Sequence, residues 1–428
     1  MDKSSQPNVI VITTHDTGTL FGCYGASTVN TPNIDKLASQ GVRFEKMFAT
    51  CSICSPSRGS LLTGRYPQSN GLTGLAGHNW KCELNDTHQH LSHIMRDNDY
   101  NTVFVGYQHE TNFLDQLGFD DVSRAHKFQC ANFTEEGESR DGVDLGESLE
   151  QNCKIAPETA RDATTFLSSE SANEKPFYMQ IGFWETHTPY LWGGCEPDTS
   201  KGMEIPEFTQ CSADEQWREI KPMGDHMAAL QGSIKMVDDA VGIICESLEK
   251  NGLAENTILL FTVDHGPELP RAKWTLHDAA LRVAFIMRWP AGNISGGKTV
   301  SNMACNVDYV PTLGDLAGLN LPDNIEGKSL AGLLSGEEVT HRDTSFAIFI
   351  YPGLYSARTE NYRLIRHIND ETNTTELYDL KEDPLELNDL SKDENHQETL
   401  KDMNDRLCGW LSDVNDPILE KCSAGCTL

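Results

Sequence analysis

The sequence predicts an α/β protein: a large, mostly parallel central sheet sandwiched by helices, followed by a smaller C-terminal α+β subdomain containing an antiparallel sheet. Three observations carry this. Unbroken β-branched and aromatic runs, which suit strands buried on both faces, recur between residues 8 and 263. Helical patterns separate them, as a parallel sheet requires. From about residue 340 the texture changes to short strand-like runs and one closing helix, so the chain divides into a larger domain, 1–338, and a subdomain, 339–428.

Taken in order, Asn8–Thr13 reads as a first buried strand that ends abruptly in the polar Thr14-His15-Asp16-Thr17-Gly18. Thr31-Pro32 then reads as the cap and first residue of a helix, with Ile34, Leu37 and Ala38 on one face and Gly41 as its stop. Strands follow at Asn101–Val105, Phe177–Gly182 and Thr257–Val263. Between the last two, Met227, Leu230, Ile234, Val237, Val241, Ile244 and Leu248 step by three and four residues, which predicts a helix over 226–251 closed by Gly252. Residues 110–160 and 190–225 are acidic and aperiodic and read as insertions over one end of the sheet. In the subdomain, Ser345–Tyr351 and Tyr362–Ile368 read as antiparallel strands and 395–412 as the closing helix.

Composition excludes several classes. With 34 Lys and Arg against 64 Asp and Glu, the 428-residue chain carries a formal charge of −30, and no basic run exists to neutralise a nucleic-acid backbone. No apolar stretch approaches the roughly 18 residues of a membrane span, and no export signal precedes the first strand, so the chain as written reads as cytoplasmic, or as periplasmic or secreted if a leader has been removed. The 13 cysteines are scattered and odd in number; only Cys51-x-x-Cys54 and Cys422-x-x-x-Cys426 have zinc-like spacing, without the second pair a ribbon needs.

In a parallel sheet, ligands collect where strand C-termini open into loops. Three exits here carry unusual chemistry: His15-Asp16 after the first strand, Trp184-Glu185-Thr186-His187-Thr188-Pro189 after the third, and Asp264-His265-Gly266 after the fourth. A histidine–carboxylate pair facing a carboxylate–histidine pair supplies two oxygens and two nitrogens to one cation. The segment Cys54-Ser55-Pro56-Ser57-Arg58-Gly59-Ser60-Leu61-Leu62-Thr63-Gly64-Arg65 places a cysteine just before a helix start with Arg58 able to reach back over it, a setting that lowers a thiol pKa.

That segment resembles the sulfatase signature C-x-P-S-R-x-x-x-L-T-G-R at every defined position. The resemblance extends through Pro7–Ile10, Gly22–Gly25, Thr31–Ala38, Asp264–Gly266 with Lys273, Arg282–Pro290, Asp308–Leu313 and Glu376–Leu380, and covers nearly the whole chain apart from the two insertions. It implies an alkaline phosphatase-like fold and a sulfuric ester hydrolase in which Cys54 is oxidised, by a formylglycine-generating maturation enzyme, to an aldehyde whose hydrate is the nucleophile. It implies one divalent metal, with calcium first and manganese or zinc open because two of the five ligands, His15, Asp16, Cys54, Asp264 and His265, are histidines. His15 stands where many sulfatases have an aspartate. By the same resemblance Arg58 orients the hydrate, His187 is the sulfate-side general acid, and Lys273 grips the sulfate. His109 helps release sulfate, although Tyr107 stands where the family commonly has a lysine. The spacing at 106–109 and 266–273 is similar to the heparan N-sulfatase branch.

The substrate implied is a sulfated carbohydrate, and the charge of −30 favours a small one taken at its end over the interior of a polyanion. Two other readings stay open: a phosphonate monoester or phosphodiester hydrolase of the same superfamily, and a pseudoenzyme that binds sulfated ligands. A Cys51/Cys54 redox protein is a weaker rival, because the pair opens a complete sulfatase signature.

Overall fold

The computed structural model describes residues 6–27, 29–76, 82–126, 154–188, 190, 209, 223–337, 339–351, 353–369 and 371–424. Its centre is an eight-stranded sheet in the order β4-β3-β5-β1-β6-β7-β2-β8. The strands are β1 (Asn8–Thr14), β2 (Val42–Phe48), β3 (Asn101–Gly106), β4 (Asp121–Ala125), β5 (Phe177–Gly182), β6 (Thr257–Val263), β7 (Phe285–Arg288) and β8 (Lys298–Cys305). Only β7 runs against its neighbours. The four strands legible as apolar runs, β3, β5, β1 and β6, lie side by side and parallel at the centre, where both faces are covered.

Helices cover the sheet. Met223–Lys250 packs against Ala156–Leu167 and Pro32–Gln40, and Cys54–Thr63 packs against Tyr309–Ala317. Asp238 staples the first group by accepting from the backbone N–H of Asn33 (2.9 Å) and Ile34 (2.8 Å). These donors open the Pro32–Gln40 helix and have no partner within it.

Part of the region read as the first insertion belongs to the sheet. Residues 121–125 form the edge strand β4, and Ala156 already opens a helix. An edge strand is half exposed, so Asp121-Val122-Ser123-Arg124-Ala125 carries too few apolar residues to stand out. Residues 127–153 lie outside the described residues; of the second insertion only 190, 209 and 223–225 are described, the last three opening the Met223–Lys250 helix.

The second sheet is antiparallel, in the order β12-β11-β10-β9, with β9 (Ser345–Phe349), β10 (Leu354–Arg358), β11 (Tyr362–Ile368) and β12 (Asn373–Asp379). The helix Gln397–Asp413 covers β10 and β11. The hydrophobic core of this region also takes in Phe48, Cys51, Ile53 and Tyr66, from β2 and the residues that follow it. Ile348 in β9 donates its N–H to the Thr50 carbonyl at 2.8 Å, so the second sheet braces the segment that leads into Cys54.

Candidate active site and cation centre

Five parallel strands deliver the chemistry to one edge. β1 ends in His15-Asp16, β3 leads to His109, β5 leads to Trp184 and His187, β6 ends in Asp264-His265, and β2 runs on to Cys54, the first residue of the Cys54–Thr63 helix. Register fixes their heights: Thr13 pairs with Gly182 and Thr14 with Val263, so these chains leave the sheet at one level. Two glycines make the exits possible. A Cβ on Gly182 would lie 1.6 Å from the Tyr107 carbonyl oxygen, and one on Gly266 would lie 1.9 Å from that of Ala279. Thr186 ties the β5 exit to the β1 exit, its hydroxyl reaching the carbonyls of His15 and Asp16, both at 3.1 Å.

At the centre, all seven residues that the sequence assigns to the cation, the nucleophile and the anion grip converge. One ligand atom from each of His15, Asp16, Cys54 and Asp264 lies within 4.8 Å of all the others, and every one of these residues is buried. His265 adds a fifth: its Nε2 is 3.2 Å from Asp16 Oδ1 and 3.4 Å from Cys54 Sγ. The His265 Nδ1 lies 2.9 Å from the Gly266 carbonyl, which can only accept, so the proton sits on Nδ1 and the Nε2 lone pair faces the cluster. Lys273 Nζ lies 2.6 Å from Asp16 Oδ2, and Arg58 Nε donates to Asp264 Oδ2 at 3.1 Å. Arg58 Nη2 is buried without a partner, although Glu110, also buried, approaches Nη1 at 3.9 Å. Asn306 anchors the helix start by donating to the Ser57 carbonyl at 3.0 Å.

His187 and His109 stand on the His15 side, their rings 5.5 and 6.4 Å from that of His15. His187 Nδ1 donates to the Thr188 carbonyl at 2.5 Å, which leaves Nε2 as the proton-exchanging atom. Trp184 packs on His187 with ring centroids 4.7 Å apart. Tyr107 fills the space between His15 (5.4 Å), His109 (5.7 Å) and Trp184 (5.0 Å), so an aromatic wall stands in place of a lysine. The sequence did not single out Glu110, Trp184 or Thr186 as site residues. Glu110 directly follows His109, but its partner lies on another element and no spacing rule joins them.

Electrostatics follow from burial and pairing. Burial opposes charge on Asp264, yet His265, His15 and Arg58 hold its carboxyl well below the ordinary range. Asp16 is likewise lowered, against burial, chiefly by Lys273. Burial and the Arg58 guanidinium push the His15 imidazole down to about 3, so it is neutral. Burial also pushes the Cys54 thiol well above its ordinary value despite Lys273. This reverses the sequence-based expectation of an acidified thiol: the two carboxylates and the loss of water outweigh Arg58. A thiolate redox role therefore has no support here.

The donor set fits a divalent cation. Two buried carboxylates converge with two imidazoles, and while His15 Nδ1 lies 3.0 Å from Asp264 Oδ2, its Nε2 is buried without a partner. Among the described residues this cluster does not include Cys51, and Cys426 lies outside them.

Comparison with known proteins places this arrangement. The sulfatase family model matches residues 7–319, and a model described as N-sulphoglucosamine sulphohydrolase, C-terminal, matches 272–412. The chain belongs to the sulfatase family of hydrolases. It is similar to an N-acetylglucosamine-6-O-sulfatase of Bacteroides thetaiotaomicron (25% identity, over 91% of this chain and 83% of the relative) and to human arylsulfatase A (28%, over 83% and 74%). Among solved structures, one in complex with its substrate D-glucosamine-2-N,6-O-disulfate superposes with a TM-score of 0.74 at 21% identity, covering 96% of this chain and 99% of the other. The phosphonate monoester hydrolase of Agrobacterium radiobacter gives 0.73 at 20% identity, covering 96% of each chain. These two likenesses speak for the fold. Among the described residues no helix is long and apolar enough to cross a membrane.

Proposed function

We propose that this sulfatase hydrolyses a sulfate ester or N-sulfate at the end of a small sulfated saccharide, through a formylglycine made from Cys54 and with one divalent cation. The observation that carries the reading is the position of Cys54. It opens a helix with its side chain 3.4 Å from His265 Nε2 and 4.0 Å from Asp16 Oδ1, in a signature that the family's maturation enzyme converts.

The chemistry balances with the residues present. One hydroxyl of the hydrated aldehyde at position 54 gives its proton to Asp16, the carboxylate that the Cys54 side chain faces at 4.0 Å, and attacks sulfur as the bond from sulfur to the sugar oxygen or nitrogen breaks. His187 Nε2 gives the departing atom its proton. Lys273 and Arg58 Nη2 bind the anionic oxygens and orient the hydrate. The second hydroxyl then loses its proton to His109, the carbon–oxygen bond to sulfate breaks, and the aldehyde is regenerated to take up water. His15, Asp16, Asp264, His265 and the oxygen at position 54 would hold the cation, which would supply Lewis-acid polarisation of the sulfate. The family implies calcium in this role.

The saccharide reading is supported by the names of the relatives and by the acidity of the chain. The test is one preparation, co-expressed with the maturation enzyme, assayed on defined N- and O-sulfated mono- and disaccharides and on an aryl phosphonate monoester. Conversion should leave the peptide spanning Cys54 about 18 Da lighter, as an aldehyde oxygen replaces thiol and hydrogen. Turnover of the phosphonate alone would favour the phosphonate hydrolase; converted protein that binds sulfated sugars without turnover would be a pseudoenzyme.

A further inference from the structure

We infer that the centre selects a first-row dication of the manganese-to-zinc class over calcium. The inference rests on the cation-site reading above and concerns which ion that site takes.

Calcium asks for six to eight oxygens, commonly with a bidentate carboxylate, and its affinity rises with the number of charged ligands. The oxygens here are already committed. Asp264 Oδ1 accepts the backbone N–H of Asp16 at 3.0 Å and that of His265 at 2.8 Å, while Oδ2 accepts from Arg58 at 3.1 Å. Asp16 Oδ2 is held by Lys273 at 2.6 Å, which leaves Oδ1 facing the cluster. Each carboxylate is thereby limited to one-oxygen ligation, and each shares its charge with a buried cation. In contrast, two nitrogens are on offer. The His265 Nε2 lone pair is aimed inward by the Nδ1 contact to Gly266, and His15 keeps Nδ1 3.0 Å from Asp264 Oδ2 and leaves its buried Nε2 without a partner. A neutral imidazole is a good ligand for manganese through zinc and a poor one for calcium. Two carboxylate oxygens, two imidazole nitrogens and the oxygen at position 54 make a compact mixed set with too few oxygens for calcium.

The test uses the full chain. Protein stripped with chelator is titrated calorimetrically with manganese, zinc and calcium chlorides, and manganese-loaded protein is examined by pulsed electron paramagnetic resonance for nitrogen couplings. Manganese and zinc should each bind one per chain at least about tenfold more tightly than calcium, and nitrogen couplings should be present. His15→Asp, which adds a charged oxygen ligand, should narrow the gap to calcium by at least about threefold. Calcium binding as tight as manganese and zinc, or manganese bound with no nitrogen coupling, overturns the inference while the cation-site reading stands. If none of the three ions binds, both fall. Should His15→Asp fail to fold, the wild-type affinities and couplings decide alone.

Discussion

Replacing Lys273 with methionine keeps the stem and removes the ammonium. In the structure the Lys273 side chain is 4% exposed and Asp16 is fully buried, with 2.6 Å between Nζ and Oδ2. Burial alone would disfavour the ammonium, but Asp16, Cys54 and Glu268 more than offset it, and the lysine pKa stands above its ordinary value. Breaking a buried pair by deleting one partner costs about 3–5 kcal/mol, because the remaining charge loses its compensation. Unfolding entropy scales with length, so for a chain of this size that loss lowers the melting temperature by about 3–5 °C. The shift should be largest in chelator and smaller with a divalent ion, which takes over part of the compensation of Asp16. Catalytically, a cation lost from the sulfate oxygens should cost about 100- to 1000-fold in kcat/KM. Lys273→Arg should recover stability but little activity, since a planar fork does not replace a point charge at that distance. The assay pairs melting with and without chelator against kcat/KM on a saccharide sulfate. If the methionine variant melts normally in chelator, the Asp16 pairing argument fails. If kcat/KM stays within about threefold of wild type, Lys273 does not touch the sulfate.

Two further outcomes follow from packing and pairing. Gly266→Ala should destabilise the protein by at least about 1–3 kcal/mol and weaken cation binding, since its Cβ would lie 1.9 Å from the Ala279 carbonyl oxygen and must push Asp264-His265 out of place; a normal melt with unchanged calorimetric affinity would contradict this. The buried Asp308 accepts from Arg342, His341 (3.1 Å) and the Cys305 N–H (2.9 Å), and against burial Arg342 and then His341 hold its pKa down from 3.8 to about 2. A carboxyl depressed on folding contributes stability above its unfolded pKa and loses it as pH falls through the folded one. About 2 kcal/mol should therefore disappear between pH 4 and about pH 2, and Asp308→Asn should flatten that part of the urea-midpoint profile.

What the sequence made legible is what lies at the middle of the sheet. β1, β3, β5 and β6 are buried along almost their whole length, so apolar residues dominate them, and their polar exits are conspicuous by contrast. The peripheral strands answer to other constraints. In β8 the first five residues include four exposed ones, so Lys298-Thr299-Val300-Ser301-Asn302 shows no apolar run, and β7 has only four residues. The second sheet hides a different feature: Arg363 and Arg366 in β11 are almost fully buried, held by partners such as Glu386, 2.6 Å from Arg363, and Asn404. An arginine in an alternating strand reads as solvent-facing, because its partners come from distant segments. For the same reason neither the Arg58–Asp264 pair nor the Arg58–Glu110 approach was legible. The thiol of Cys54 was misjudged from one neighbour, when burial first, and then two carboxylates from other strands, push it up.

Charge balance ties the site to its substrate. The chain carries −30 overall, yet the proposed reaction brings an anion inward. Within the centre, Asp16 and Asp264 are each matched by a buried cation, so the protein's own groups nearly cancel and offer sulfate little net attraction. The two imidazoles, neutral as ligands, add none. With a dication held there, the same four charged side chains and the ion sum to a net double positive charge inside low-dielectric walls, where fields are strong and short-ranged. Sulfate and cation then each tighten the other, by the reciprocity of linked binding. A single terminal sulfate enters this local field directly, while additional sulfates on a long chain remain outside it and meet the acidic surface, whose repulsion reaches about 10 Å at 0.1 M salt. The proposed end-on, small-saccharide preference is the one that a neutral ligand cage set in an acidic protein would produce.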